Sequence, residues 1–152
     1  TVETARLPQL KEALCAIAAK QLAGRELAPV LNIDQVVDLQ QLDWAASEMI
    51  AQLEPFGYGN PVPILASYDV EIVDTRLVGS EGKHLKLTLS DGRRKWSAIA
   101  FRLGHMRESL PRRVDIAYQL EQNEWNGHVS LQLNIQDIRP AGSGMPASGP
   151  VE

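Results

Sequence analysis

The sequence predicts an α+β protein in which a small helix–strand–helix unit precedes a five-stranded β-barrel. Apolar residues recur every three or four positions early in the chain, and every second position after residue 64. Between these patterns, residues 53–63 contain two glycines and three prolines, which rules out a regular element. We therefore predict an ordered junction between two packed units, with its apolar residues docked against a neighbouring surface.

The first unit begins with a predicted amphipathic helix over residues 7–22, and Gly24 is suited to ending it. Cys15 lies on the apolar face of this helix, so we expect its thiol to be buried and inert. The following run, residues 27–34, predicts a short strand. Pro29 places that strand near the edge of a sheet, because proline donates no backbone hydrogen bond.

A second helix is predicted over residues 43–53, and either Asp38 or Asp43 can cap its N-terminus. Trp44 lies on its apolar face and is expected in the core. Asp34 and the two capping candidates are too dispersed for a metal site. Capping or solvation is therefore the role that we expect of all three carboxylates.

Five strands with an alternating pattern are predicted after the junction. Three cover residues 68–78, 83–89 and 95–101, and two carry the inward sets Val114, Ile116, Tyr118, Leu120 and Val129, Leu131, Leu133, Ile135. Gly79–Gly82, Asp91-Gly92 and Asn126-Gly127 are turn signals. Residues 102–110 form a short helical or irregular connection.

Five strands with a helical connection after the third match an OB-fold, a barrel that commonly binds oligonucleotides. An SH3-like barrel or a small sandwich would show similar alternation, and the helical connection is what favours the OB-fold. The predicted organisation is a helix–strand–helix unit over residues 1–53, an ordered junction over 54–63, an OB-fold domain over 64–140, and a disordered tail over 141–152.

Composition narrows the functional classes. The single cysteine excludes an internal disulfide framework and fits a reducing compartment, so we expect a cytoplasmic protein. No apolar run reaches the ~18 residues of a membrane span. Residues 1–75 carry four Lys/Arg against eleven Asp/Glu, whereas residues 76–139 carry eleven against seven. This asymmetry indicates either a polyanionic partner for the barrel or ordinary surface variation.

Candidate nucleic-acid-binding residues lie on and between predicted strands two and three. They are His84, Lys86, Arg93, Arg94, Lys95 and Trp96. Proteins that bind single strands combine cations that follow the phosphates with flat side chains on which bases stack. Strands two and three form the usual binding face of an OB-fold. The alternative is that Arg93–Lys95 is a solvated turn and that Trp96 belongs to the core.

Three further candidates lie at strand ends. Arg112 and Arg113 begin the fourth strand. There they either continue a binding groove or, as charges at a strand end, oppose association with another strand. Trp125 precedes the Asn126-Gly127 turn, so its indole either stacks on a base or covers the end of the barrel, and we favour the cover.

The junction segment LEPFGYGNP, residues 53–61, resembles that of RecJ-type single-strand-specific exonucleases of the DHH phosphoesterase superfamily. Weaker similarity continues at PVLNID (29–34), KHLKL (83–87), AIAF (98–101), NEWNG (123–127), LQL (131–133) and DIRP (137–140). The resemblance implies that residues 1–53 end the DHH-associated domain and that the barrel is the attached OB domain. The Asp-His-His triplet and the other metal-binding motifs of the family have no counterpart here.

The resemblance therefore implies a non-catalytic fragment without a cofactor of its own, cut from a hydrolase. The parent nuclease would degrade single-stranded DNA from its 5′ end with Mn²⁺ or Mg²⁺, in DNA recombination and repair. Expected partners are single-stranded DNA, the catalytic domains of the parent chain, and a single-strand-binding protein. The alternative is an OB module that docks a protein such as single-strand-binding protein, or that braces the catalytic domains.

Overall fold

The computed structural model describes residues 3–24 and 30–143, and it divides the chain into two compact units, Thr1–Leu31 and Asn32–Glu152. The first unit contains helix α1, Leu7–Leu22, which confirms the predicted range. No residue of α1 is buried, so the expectation for Cys15 is wrong: its thiol is exposed, as is the rest of this helix. Gly24 has the positive φ of +78° that suits a helix end.

The structure describes only part of the predicted strand over residues 27–34, and it shows no strand in that part. Residues 25–29 lie outside the described part of the chain, and residues 30–34 form no strand. Strand β1 is instead Gln35–Val36, which pairs in parallel with the start of β2, Leu65–Val78. The Ile64 N–H donates to Asp34 Oδ2 at 2.7 Å. The Asp34 carboxylate therefore accepts a hydrogen bond from the last backbone N–H before strand β2.

Helix α2, Trp44–Ala51, begins where the sequence predicts and ends two residues earlier than expected. Asp43 caps it, because Asp43 Oδ1 accepts from the Ala46 N–H at 2.8 Å. Asp38 caps a separate 3₁₀ turn, Leu39–Gln41, through a capping box. Residues 32–53 share a compact unit with the barrel, so the predicted boundary after residue 53 does not coincide with this division and stays a prediction.

The remaining strands are β3, His84–Ser90; β4, Lys95–Ala100; β5, Arg113–Trp125; and β6, His128–Pro140. Their order is β1-β2-β3-β4-β6-β5, and pairing of β2 with β5 closes the barrel. A 3₁₀ turn, Gly104–Met106, lies between β4 and β5. The β4–β6 pairing is parallel, and the other barrel pairings are antiparallel. The predicted OB-fold is confirmed.

Alternation places the core as predicted on β3 and β5. The inward residues include Leu85, Leu87, Leu89, Trp96, Ala98, Ala100, Val114, Ile116, Tyr118, Leu120, Leu133 and Ile135. Val129 is an exception, because it is exposed and pairs with Glu124 on the hairpin arm. On β6 the register then shifts at one bulge, so that Ile138 rather than Asp137 is buried.

In the junction, Phe56 is half-buried, but Leu53 and Tyr58 are not docked as expected. Asn60 Nδ2 donates to Leu53 O at 2.8 Å and to Pro55 O at 3.1 Å, which ties the loop to itself. Tyr58 is fully exposed, and Leu53 is more than half exposed. The hydrogen bonds of Asn60 therefore hold this loop, and burial of those two side chains does not. Within the described residues, no helix is both long and apolar enough to cross a membrane.

Candidate nucleic-acid interface

Outward-facing residues of strands β2, β3 and β4 line up across the sheet, and one of them, Ile99, is only 8% exposed. Lys86 on β3 lies between Arg76 on β2 and Ile99 on β4. The next row of the same face places Thr88 beside Asp74 and Ser97 in the same way. We call these two rows, Arg76–Lys86–Ile99 and Asp74–Thr88–Ser97, the outer face.

Two cations are neighbours on the outer face. Burial lowers the pKa of Lys86, and repulsion from Arg76 lowers it further. Among the described residues, neither cation belongs to a salt bridge. Two adjacent positive charges of this kind favour an anion placed between them. Arg76 is only a weak candidate from the sequence, and the pairing of β2 with β3 is what places it beside Lys86.

His84 lies at one end of the outer face and is held by three neighbours. Its Nδ1 accepts from the Arg102 N–H at 3.0 Å, and its ring meets Phe101 edge to face with centroids 5.2 Å apart. A Cβ on Gly79 would lie 2.7 Å from His84 Cδ2, so only glycine fits beside the ring. Phe101 is 53% exposed, and it adds an aromatic ring that the prediction did not include.

The hairpin between β3 and β4 does not present its arginines as predicted. Arg93 Nη1 donates to Gln40 Oε1 and Arg94 Nη1 donates to Leu42 O, both at 3.2 Å. Both arginines therefore fasten residues 40–42 to the hairpin. Lys95 is exposed on the outward side of β4, so its ammonium group is accessible to a ligand. Its predicted role in binding stays a prediction.

Trp96 is a core residue, and the expectation that it stacks on a base conflicts with its position. Its side chain faces inward opposite Leu89 and is only 5% exposed. The Arg94 guanidinium carbon lies 5.3 Å from the centroid of the ring. Only a small part of this indole is accessible, which leaves little surface on which a base could stack.

Arg112 and Arg113 are paired with carboxylates of β2. Arg112 Nη2 lies 2.6 Å from Glu71 Oε1, and Arg113 donates to Asp69 Oδ2 at 2.7 Å. The hydrogen bond from Arg113 lowers the pKa of Asp69. These pairs favour the strand-edge alternative over the groove. The backbone of Trp125 pairs with His128 at the end of the hairpin, while its side chain lies outside the described part, so its role stays a prediction.

A groove with a volume of about 310 Å³ lies between the start of α2 and strands β4 and β6. Trp44 forms part of its wall and is 46% exposed, so the expectation that Trp44 is buried is wrong. The reason is that Ala46, Ser47 and Ile50 occupy the side of α2 that packs against the barrel. The prediction missed this site because a helical period identifies an apolar face but not what that face contacts.

Comparison with known proteins identifies relatives of the chain. The family model of the RecJ OB domain matches residues 33–137. The single-stranded-DNA-specific exonuclease RecJ of Bacillus subtilis is 27% identical over 139 residues, which are 90% of this chain and 18% of that protein. RecJ of Haemophilus influenzae is 30% identical over 126 residues, 80% of this chain and 22% of that protein.

A solved structure agrees with these relatives. RecJ from Thermus thermophilus in complex with Mn²⁺ matches with a TM-score of 0.69 and 28% identity, over 91% of this chain and 20% of that chain. The same protein in complex with Mg²⁺ gives the same values of score and identity. The chain thus spans about a fifth of the length of these relatives.

Proposed function

Because the chain belongs to the RecJ OB domain family, we propose that it is the non-catalytic, single-stranded-DNA-binding portion of a RecJ-like exonuclease. The longer protein would be a cytoplasmic nuclease that degrades single strands in the 5′ to 3′ direction in DNA recombination and repair. The observation that carries the binding proposal is the Arg76–Lys86 pair on the outer face. Lys86 lies on the second barrel strand, which belongs to the usual binding face of this fold, and Arg76 lies beside it on the first.

The chemistry of the outer face suits a strand of any sequence. Arg76 and Lys86 would contact adjacent phosphates, and Lys95 would contact a further one. The row beside this pair contains the carboxylate of Asp74 and the hydroxyl groups of Thr88 and Ser97. Such hydroxyl groups reach sugars and base edges without selecting one base, and backbone contacts supply most of the affinity of non-specific binders.

No catalytic step is assigned to the described residues. They contain no group of three His, Cys, Asp or Glu side chains that could hold a metal ion, so they do not fit the Mn²⁺ or Mg²⁺ proposed for the parent. Hydrolysis would belong to the other domains of the longer protein. In that arrangement, this chain holds the strand that the catalytic domains cut.

Fluorescence anisotropy of a labelled single-stranded oligonucleotide of roughly 16 nucleotides tests the proposal, because that length suits one OB-fold. We expect binding at low salt that weakens linearly with the logarithm of salt concentration, by a slope of about 0.7 for each phosphate contacted. Absence of binding at low salt would contradict the proposal. Cleavage of the oligonucleotide by this chain with added Mn²⁺ would contradict the non-catalytic role.

A second candidate function, protein docking, is favoured by a different cavity. Val36 on β1 and Met49 on α2 are exposed, and they line an apolar cavity of about 450 Å³ together with Leu53. Residues 30–54 contain five Asp/Glu and no Lys/Arg, so a partner such as single-strand-binding protein would have to offer an apolar, basic segment here. Calorimetric titration with that protein tests this function, with Met49→Asp expected to abolish the heat of binding and to leave oligonucleotide affinity unchanged.

A further inference from the structure

We propose that Trp44 is a stacking platform for a nucleobase, and that the groove beside it holds one base of a strand bound to the outer face. This inference rests on the proposed function and adds a base site to it. The groove lies between α2, β4 and β6 and has a volume of about 310 Å³. The 46% exposure of the Trp44 side chain leaves indole surface accessible to a ligand.

The position of Trp44 is fixed before any ligand arrives. The residue follows Asp43, which caps α2, and Leu42, whose side chain is 2% exposed in the core. Arg94 Nη1 donates to Leu42 O at 3.2 Å and so ties this segment to the β3–β4 hairpin. These contacts anchor the backbone on both sides of Trp44, which lowers the conformational entropy that the segment loses on binding and favours a stacking platform.

The other walls of the groove provide what a base and its backbone require. Val129 on β6 is an apolar side chain that is 49% exposed. Ser97 and Ser130 supply hydroxyl groups for the edge of a base, and Lys95 supplies a cation for a neighbouring phosphate. Flat apolar surface together with hydroxyls and a lysine fits a nucleotide better than it fits an apolar ligand.

Charged residues of both signs line the groove, and the carboxylate is at one position in it. Asp43 lines the same groove, and one of its oxygens already accepts from the Ala46 N–H. A negative charge at this position repels phosphate. Arg94 and Lys95 line the groove as well, so phosphate is disfavoured only at the position beside Asp43, which is where we place the uncharged base.

The groove continues from the outer face. Ser97, which lines the groove, also belongs to the outer face, where it pairs with Thr88. Lys86 and Ser90, the partner of Lys95, are four residues apart on β3 and have the same outward orientation. That separation corresponds to roughly 13 Å. A strand on the Arg76–Lys86 pair can reach Trp44 along one side of the barrel.

The test compares two probes of equal length and charge, a 16-nucleotide thymidine oligonucleotide and the corresponding abasic strand. For the full chain, we expect Trp44→Leu to lower affinity for the thymidine strand by roughly tenfold, because a single base stack has about this value. Affinity for the abasic strand should stay unchanged. Trp44→Phe keeps an aromatic ring and should recover most of the loss.

Met49→Ala is the matched control, because it changes an exposed apolar residue of the same helix that lines the other cavity. It should alter neither affinity. Equal affinities of the original chain and Trp44→Leu for the thymidine strand, or an equal loss for both probes, would overturn the base site and leave the proposed function standing. If the original chain bound neither probe, the proposed function itself would fall.

Discussion

The inward and outward sides of strand β3 are subject to different physical constraints. Its inward side carries Leu85, Leu87 and Leu89, which are at most 1% exposed. Its outward side carries His84, Lys86 and Thr88, which are half-buried and have polar neighbours. The inward side is constrained by packing, so any loss of volume there weakens the fold. The outward side places a second cation beside Lys86, an arrangement that folding alone does not require. The difference teaches that one short strand carries both the stability of the barrel and the surface proposed for binding.

The largest expected effect is on the inward side. Leu87→Ala removes a side chain that is 1% exposed, so we expect a loss of about 2–5 kcal/mol in the free energy of unfolding. Urea denaturation followed by circular dichroism measures it. Affinity for the oligonucleotide, measured at a temperature where the variant is folded, should not change. A stability within experimental error of the original chain would contradict the description of the core.

The next effect is on the outward side. Arg76→Ala/Lys86→Ala should lower oligonucleotide affinity by about tenfold or more and reduce the salt slope by about 1.4, because two phosphate contacts are removed. Stability should be equal or slightly higher, since the variant relieves repulsion between like charges. Anisotropy titrations at several salt concentrations measure both changes.

Arg112→Ala/Arg113→Ala is the matched control for that variant, because it removes the same charge from side chains that pair with Glu71 and Asp69. Its salt slope should stay close to that of the original chain. An equal loss of affinity in the two double variants would show that total charge matters and that the outer face has no special role.

The smallest effect concerns a polar contact of the core. Tyr118 Oη lies 2.9 Å from Ser67 Oγ, which itself donates to Val37 O at 2.7 Å, so the tyrosine hydroxyl is the donor to Ser67. Tyr118→Phe removes that donor, and we expect a loss of about 1 kcal/mol at neutral pH. Thermal denaturation measures it, with the exposed Tyr58→Phe as the control.

The same residue predicts an alkaline transition. Burial raises the pKa of Tyr118 from 10.0 to about 12. Because the folded state disfavours the phenolate, this contribution to stability is complete below pH 10 and is lost as pH rises through about 12. Stability of the original chain should therefore fall more steeply over this interval than that of Tyr118→Phe. Parallel curves for the two proteins would contradict the raised pKa.

The sequence predicted more of the fold than of the candidate site. Alternation identified the inward residues of β3 and β5, because a strand places successive side chains on opposite faces wherever it lies. It failed for Val129, where the hairpin arm extends beyond the strands that would cover that side chain. Helical spacing located α2 correctly and still misplaced Trp44, because the period does not show which face meets a partner.

The candidate site residues that differ from the prediction do so mainly because they contact residues distant in sequence. Arg93, Arg94 and Lys86 look alike in the sequence, since each is a cation on or beside the β3–β4 hairpin. In the structure the two arginines bind residues 40–42, whereas Lys86 lies beside Arg76. Trp96 was chosen as an aromatic next to cations, and the fold placed its ring in the core.

The sequence by itself determined the barrel, its turns and the start of both helices, because hydrophobic period, capping and turn chemistry act over a few neighbouring residues. Tertiary structure alone decided which cations have acidic partners, that Trp44 is exposed whereas Trp96 is buried, and where β1 joins the sheet. These outcomes depend on strand register and on packing between segments distant in sequence, such as Asp34 with Ile64 and Leu42 with Arg94. No local pattern encodes such contacts, so the sequence indicated Lys86 and Lys95 on the proposed surface, whereas the folded chain placed Arg76 beside Lys86 and exposed Trp44.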